Sequence, residues 1–232
     1  MVYLRDRYVL IVSIESGQVT ILGEFIIDRW QDITFRAYQH ASLVFQSVLL
    51  ALVIALIIAV LVSSHHRATA IANSLSSIGL TLPSLALLGL AIPLFGIGTI
   101  PSVVLVVFYA VLPILRNAIV GLQNIDPGII ESARGQGMSP AAVLFKVQLP
   151  LAWPVIMTGV RVSTQMSMGV AAIAAYALGP GLGSYIFSGL SQIGGANALN
   201  YAFVGTIGIV IIALVVDALL ALLQKLTTSK GL

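Results

Sequence analysis

The sequence lacks cysteine and contains few charged residues. Of its 232 residues none is Cys, 8% are Asp, Glu, Lys or Arg, and 59% are hydrophobic. The absence of cysteine excludes thiol chemistry, disulfides and cysteine-based metal sites, and leaves the compartment undecided. A soluble domain carries about a quarter charged residues, so the composition indicates a membrane protein that contacts the lipid bilayer. The net charge of +3 is too small to suggest nucleic acid as a partner.

Two further absences concern catalysis and targeting. No Gly-x-x-x-x-Gly-Lys phosphate loop occurs, so the chain does not bind ATP by that route. We expect no cofactor on this chain. We also expect no metal, because a pair such as His65 and His66 at the end of a hydrophobic run is usually an interfacial polar cap. The beginning of the chain is not a secretory signal, since the apolar run 8–14 is short and Glu15 interrupts it.

Long uncharged runs predict an all-α membrane protein. A bilayer core of ~30 Å is crossed by about 20 apolar residues in a helix. The uncharged run 68–115 is long enough for two such spans, with a break at the glycine- and proline-containing stretch 96–101. Prolines inside the spans predict kinks, because neighbouring helices can satisfy the freed carbonyls; they are Pro83, Pro93 and Pro113. The five predicted spans are 41–62, 75–95, 101–115, 153–178 and 201–223.

The two ends of the chain differ from the membrane domain 41–225. Residues 1–40 hold four arginines and five acidic residues and are too polar to span. Five apolar side chains there share one helical face, which predicts an interfacial helix on the membrane surface or against the bundle; they are Ile21, Leu22, Phe25, Ile26 and Trp30. The alternative is a loosely ordered tail. Residues 226–232 are expected to form a cytoplasmic tail.

The segment 123–150 is a polar interruption between the third and fourth spans. Asp126 can cap a helix that starts at Pro127, where a missing N–H costs nothing. This helix should end at Gly135 or Gly137, because glycine accepts a left-handed conformation.

Ser139 and Pro140 repeat the signal for a second short helix, expected to reach about Lys146. Leu149 and Pro150 are expected to close it. Glu131 and Arg134 lie one turn apart on the first helix and are able to pair. A loop folded into two helices indicates a surface that docks onto a partner.

The same segment resembles the coupling segment of bacterial ABC importer permeases. That segment reads Glu-Ala-Ala, three residues, Gly, and then about nine residues to Leu-Pro; here it stands as Glu131-Ser132-Ala133, Gly135, Gly137 and Leu149-Pro150. Ser132 departs from the commoner alanine, a small-for-small change. Residues 82–122, 126–151 and 179–190 are similar to permeases for quaternary-amine osmoprotectants such as glycine betaine, choline and carnitine.

The resemblance leaves part of the solute question open. Gly-Pro-Gly-Leu-Gly at 179–183 replaces the more usual Gly-Ala-Gly-Gly-Leu-Gly of the osmoprotectant branch. Branches that carry methionine or other small solutes share part of the pattern. An importer for another small, amino acid-like solute is therefore the alternative within the same class.

The resemblance implies a complex in the bacterial cytoplasmic membrane. Two permease chains, identical or paralogous, form the pathway; two ATP-binding subunits lie beneath them, and an extracytoplasmic solute-binding protein delivers the solute. The chain is then a permease and not an enzyme. The residues expected to couple it to the ATPase are Glu131, Ser132, Ala133, Arg134, Gly135, Gly137, Ser139 and Pro150.

Lysine and arginine counts predict the orientation. If the segment 123–150 is inside, six basic residues lie on the inner side: Arg67, Arg116, Arg134, Lys146, Lys225 and Lys230. The outer loops 96–100 and 179–200 contain none. The amino terminus is then outside and the carboxyl terminus cytoplasmic.

Arg161 and Asp217 are the only charged residues within the predicted spans. Ionisable groups there usually face the bundle interior or water. At 1.5 Å per residue, both lie at a similar depth in the inner half, so we expect them to pair. A packing salt bridge and a solute contact are both possible uses.

The outer segment 179–200 is glycine-rich and uncharged, and it suggests an outer gate or a solute contact. Its candidate residues are Tyr176, Gly179, Gly181, Gly183, Tyr185 and Phe187. Aromatic residues at this level usually form an interfacial belt. With Tyr201 they could instead offer cation–π faces to a quaternary ammonium group.

Two other classes of function compete with the permease interpretation. A self-contained channel or ion-coupled carrier would need polar rings along its spans or an internal repeat, and two intramembrane charges are little support for either. A membrane scaffold would only recruit a soluble partner through segment 123–150. Co-purification with an ATPase subunit separates these classes.

Overall fold

The computed structural model describes the backbone of residues 3–228 and the side chains of residues 22–228, so Ile21 and Lys230 lie outside the described side chains. Every regular element in this part of the chain is helical. In chain order the α-helices are α1 (Tyr3–Ser63), α2 (His66–Thr81), α3 (Ser84–Phe95), α4 (Thr99–Gln123), α5 (Pro127–Gly135), α6 (Pro140–Val143), α7 (Leu149–Ala174), α8 (Gly183–Ser191) and α9 (Ala198–Thr227). The all-α fold class is confirmed.

The core of the bundle lies between α1, α4 and α7. These three helices share one hydrophobic cluster, with Val44, Ile114 and Ile156 almost fully buried. On α1 the buried positions Ala51, Ala55 and Ala59 recur at helical spacing. Their small side chains let the neighbouring helix approach closely, as is common between helices in membranes.

The predicted division of the chain at residue 40 has no counterpart in the helix boundaries. The chain is one continuous helix from Tyr3 to Ser63, with no break near residue 40. The described stretch from Leu22 to Ser63 is about 60 Å long, twice the thickness of a bilayer core. Charged residues therefore end the membrane-spanning part of α1 without ending the helix. Of the predicted apolar face, Phe25 is buried while Ile26 and Trp30 are exposed.

The second predicted span is sharply bent. Helix α2, with 16 residues, and helix α3, with 12, are each too short to cross a bilayer core alone, and they meet at 94° across Leu82 and Pro83. The Tyr109 hydroxyl of α4 donates a hydrogen bond to the Leu82 carbonyl at this break. A neighbouring helix thus satisfies a backbone group at the bend, as a broken helix in lipid requires. The predicted kink exists, but the boundaries 75–95 are wrong because the pair runs from His66 to Phe95.

Four other helices are long and apolar enough to cross a membrane: Leu22–Ser63, Thr99–Gln123, Pro140–Ala177 and Ala198–Thr227. With the bent pair counted as one span, the described residues contain up to five. The predicted break at 96–101 matches the short connection between α3 and α4. The third span is longer than predicted, because α4 continues past Arg116 to Gln123.

Candidate coupling and transport site

The first half of the candidate site is α5, and its ends match the predicted signals. The Asp126 carboxylate accepts a hydrogen bond of 2.7 Å from the Gly128 N–H, and Pro127 occupies the first helical position. At the other end Gly137 has φ +82°, a left-handed conformation that favours glycine. The Gly137 and Met138 N–H groups donate to the carbonyls of Arg134 and Ala133, at 2.9 and 3.2 Å. This pattern is a Schellman motif and fixes the direction in which the chain leaves α5.

The second half begins as predicted but ends differently. The Ser139 hydroxyl accepts from the Ala142 N–H at 3.3 Å, and Pro140 begins α6. Beyond Val143 the chain forms a π-helical segment (Leu144–Gln148), which passes directly into α7 at Leu149. The predicted closure at Leu149 and Pro150 is therefore wrong. Residues 126–148, here called the knuckle, are connected to α7 without a loop.

Almost every predicted coupling residue is exposed on the knuckle. Ala133 is 6% exposed, whereas Glu131, Ser132, Arg134, Gly135, Gly137, Ser139 and Pro150 are all exposed. In the described part of the chain the charged groups of Glu131 and Arg134 form no ion pair, so the predicted pairing is wrong. Their side chains leave a polar surface open to another molecule.

The apolar residues of the knuckle divide into two groups. Ala133 and Val143 are buried, and Ile130 packs against the main hydrophobic core. Ile129 and Phe145, in contrast, are 44% and 67% exposed. The inner group holds the knuckle together and against the bundle. The outer group adds apolar area to the polar surface, a combination that is typical of protein interfaces.

Arg161 and Asp217 form the predicted pair. The Arg161 Nε and Nη2 atoms donate to Asp217 Oδ1 and Oδ2 at 2.9 and 3.0 Å, in a two-pronged arrangement. Such bidentate pairs are stronger and more directional than single contacts. The pair joins α7 to α9, which otherwise packs on few helices and is largely exposed in the single chain. The pair is also partly exposed: 33% of the Arg161 side chain and 24% of the Asp217 side chain are accessible to solvent.

Gln224 extends this pair towards the knuckle end of the bundle. Its Nε2 donates to the Pro154 carbonyl at 3.0 Å, and its Oε1 lies 3.5 Å from Arg161 Nη1. The Trp153 indole N–H donates to the Thr227 hydroxyl at 2.8 Å, one turn further along. Sequence analysis missed Gln224. Its position seven residues after Asp217, on the same helical face, is the signal that could have identified it.

The partly exposed pair belongs to an exposed face of α7 on which polar and apolar residues alternate. The exposed residues Thr158, Val162, Gln165, Met166 and Gly169 recur at helical spacing beside Arg161. An ion pair facing hydrocarbon is costly, so such a face is expected to meet protein or water. The arrangement can provide a polar path along α7 when another chain covers it.

The glycine-rich outer loop fits closely between three helices. Gly181 has φ +118°, and a side chain there would come within 3.0 Å of the His40 backbone on α1. Side chains at Gly179 and Gly183 would likewise collide, with Ser102 and with the Ala172 carbonyl. The three predicted glycines therefore pack this loop against the middle of α1, the beginning of α4 and the end of α7.

The predicted outer aromatic residues form two separate groups. Tyr176 is 63% exposed and its ring centroid lies 5.4 Å from that of Phe187. Tyr185 is 3% exposed and packs with Phe25 and Tyr201. A single solute site made of all four predicted rings is therefore wrong.

The long apolar helices define a multi-pass membrane protein, and the capped, exposed knuckle lies at one end of its bundle. The chain belongs to the family of binding-protein-dependent transport system inner membrane components, whose model matches residues 20–229. The predicted resemblance to importer permeases is thereby confirmed.

Individual relatives agree with this assignment. The chain is similar to the choline transport system permease protein OpuBB of Bacillus subtilis, at 35% identity over 209 residues covering 90% of this chain and 94% of the relative. It is 36% identical over 213 residues to the osmoprotectant import permease protein OsmW of Salmonella typhimurium, which covers 90% of this chain and 97% of the relative. A chain of the MetNI methionine ABC transporter, in an inward-facing conformation, has the same fold with a TM-score of 0.71 and 23% sequence identity. The superposition covers 85% of this chain and 96% of the transporter chain.

The ion pair can be tested by exchanging its charges. We expect Asp217→Asn to lower the unfolding temperature of the purified chain in detergent, because Arg161 then lacks its carboxylate partner. The double variant Arg161→Asp, Asp217→Arg should recover much of that loss. Lys225→Gln, which removes a charge from the exposed end of α9, is the matched control. An Asp217→Asn chain as stable as the control would contradict the pairing as a stabilising contact.

Proposed function

We propose that this chain is the membrane-spanning translocation subunit of an ATP-driven, binding-protein-dependent importer for a quaternary amine. The observation that carries the proposal is the knuckle, which is capped at both helices, exposed on its coupling residues and continuous with α7. The solute class is supported by the relatives, whose names specify choline, carnitine and glycine betaine. The fold shared with a methionine transporter favours no solute, because that likeness concerns the fold alone.

The proposed complex supplies what this chain lacks. A separate ATP-binding subunit hydrolyses ATP, a second permease covers the exposed face of α7 beside Arg161, and an extracytoplasmic protein delivers the solute. The permease itself carries out no chemistry and needs no cofactor. Nucleic acid has no role in this scheme.

The orientation follows from the distribution of basic residues. We place the knuckle and the carboxyl terminus in the cytoplasm, since the loops at the opposite end contain no lysine or arginine. The amino-terminal end of α1 then lies outside. Bacterial relatives and the family's inner-membrane description support the cytoplasmic membrane as the location.

Transport in this scheme is a shift between two populations of the complex. ATP binding moves the ATPase subunits, and their docking surfaces carry the knuckle with them. The knuckle moves as one body because its apolar residues are packed inside it and its helix ends are capped. Its motion reaches α7 through continuous helix and α4 through the short connection at 124–126. Alternating access is then driven by differential binding of the ATPase to the two states.

Uptake by the reconstituted complex tests the function. We expect proteoliposomes that contain the permeases, the ATPase and the binding protein to accumulate labelled choline, glycine betaine or carnitine only when ATP is hydrolysed. A complex that imports none of the three but imports another solute would remove the quaternary-amine assignment. Uptake without an ATPase subunit would contradict the importer class itself.

Gly135 offers a specific test of docking. A side chain at Gly135 meets no atom within 4 Å in this chain, so Gly135→Val should preserve the fold. We expect the variant to assemble poorly with the ATPase or to hydrolyse ATP without transport, because the added bulk lies on the docking face. The amount of solute imported per ATP hydrolysed should fall at least about tenfold.

The matched control is Gly23→Val on α1, another helical glycine with open space around it. It should transport normally. Normal coupling in Gly135→Val, measured as solute imported per ATP hydrolysed, would count against the knuckle as the docking surface.

A further inference from the structure

A cation already occupies the aromatic cluster at the end of the bundle opposite the knuckle. The cluster consists of Phe25 on α1, Tyr185 on α8 and Tyr201 on α9. Their ring centroids lie 4.8 to 6.5 Å apart, and Phe25 meets both tyrosines edge to face. The Arg29 Cζ atom lies 4.5 Å from the centroid of Phe25 and 5.7 Å from that of Tyr201. Both distances are within the range of cation–π attraction.

A hydrogen bond fixes the same helix face to the cluster. The Tyr185 hydroxyl donates to Asp32 Oδ2 at 2.7 Å. Phe25, Arg29 and Asp32 follow one another at helical spacing, so one face of α1 carries the ring, the cation and the carboxylate. This hydrogen bond joins the outer part of α1 to α8, and the ring contacts of Tyr201 join it to the beginning of α9. Helices α8 and α9 flank the loop 192–197.

We propose that this cluster is a cation site for a quaternary ammonium group, occupied in the resting chain by the Arg29 guanidinium, which acts as a displaceable latch between α1 and Tyr201 on α9. Aromatic faces attract a quaternary ammonium for the same electrostatic reason that they attract a guanidinium. The two cations therefore compete for one set of rings. Displacing Arg29 removes the cation that bridges α1 to Tyr201, so the beginning of α9 loosens from α1 and the outer end of the bundle opens.

The geometry favours competition over a purely structural contact. Arg29 is only partly buried, and Tyr201 is partly exposed, so the cation side of the cluster is reachable from solution. Phe25 and Tyr185 are each 3% exposed and form the closed floor of the site. The choice of a quaternary ammonium as ligand rests on the function proposed above, whereas the latch rests on the contacts alone.

The absence of native cysteine allows a direct assay. Val204 is 8% exposed and packs against the cluster, so a Val204→Cys thiol should react with N-ethylmaleimide only when the latch opens. The experiment measures its modification rate in the assembled complex in lipid nanodiscs. Tetramethylammonium chloride is the probe, and sodium chloride at equal ionic strength is the control.

The expected result is a modification rate roughly two- to fivefold higher in tetramethylammonium chloride, which corresponds to the loss of one partly exposed cation–π contact. Arg29→Ala in the same background should raise the rate by a similar factor and abolish its dependence on tetramethylammonium. Arg29→Lys, which keeps a cation, should behave like the parent. Arg67→Ala is the matched control, because Arg67 is an exposed arginine outside the cluster and stacks on no ring in the described part of the chain.

Three outcomes overturn the proposal. They are equal rates in the two salts for the parent chain, an Arg29→Ala rate equal to the parent's, and an Arg29→Ala rate that still rises in tetramethylammonium chloride. The assay needs no transport, so it succeeds or fails independently of the uptake measurement. A working latch in a complex that imports no quaternary amine would remove only the proposed solute.

Discussion

The unbroken run of helix that joins the knuckle to α7 is the constraint on which the rest of the account depends. Residues 140–174 pass from α-helix through a π-helical segment and back to α-helix without a loop. π-Helical segments inside α-helices are short and frequently occur at functional sites. Because backbone hydrogen bonds bridge the junction, a displacement of the knuckle cannot be absorbed between Val143 and Leu149. It must move α7, and with it the helices that α7 contacts.

The contacts of α7 determine how far such a motion travels. On one side α7 shares the main core with α1 and α4, where small and branched side chains are almost fully buried. On another side it holds α9 through the Arg161–Asp217 pair and the Gln224 amide. Close-packed cores transmit strain because they cannot deform gradually. The exposed face of α7 lies beside this pair, so the proposed pathway is bordered by the helix that the knuckle is proposed to move.

Several of these features could be predicted from the sequence because they depend on local chemistry. Asp126-Pro127 and Ser139-Pro140 specify helix starts, and Gly137 specifies a helix end, without reference to the rest of the fold. The pairing of Arg161 with Asp217 followed from their depth, because two isolated charges in lipid have few other partners. The resemblance to importer permeases rested on the segment 126–151 together with residues 82–122 and 179–190.

The features that sequence analysis missed depend on tertiary contacts. Charge in residues 22–40 ends a membrane span, but it does not end a helix whose exposed face meets water, so α1 continues. The 94° bend at Pro83 is sharper than proline alone predicts, because the Tyr109 hydroxyl satisfies the Leu82 carbonyl there. The aromatic cluster includes Phe25 of α1, which lies far from Tyr185 in the sequence. The predicted set of rings therefore contained Tyr185 but not Phe25, and it did not include the cation Arg29.

The most direct test of the central claim is to interrupt the helix between the knuckle and α7. Three glycines inserted after Gln148 would leave both capped helices intact while making the junction flexible. The account predicts that the complex still assembles and hydrolyses ATP, and that solute import per ATP falls to the background level. The same three residues added after Thr228, at the end of α9, should have no effect. Normal import by the chain with the interrupted junction would contradict the claim that the knuckle drives α7.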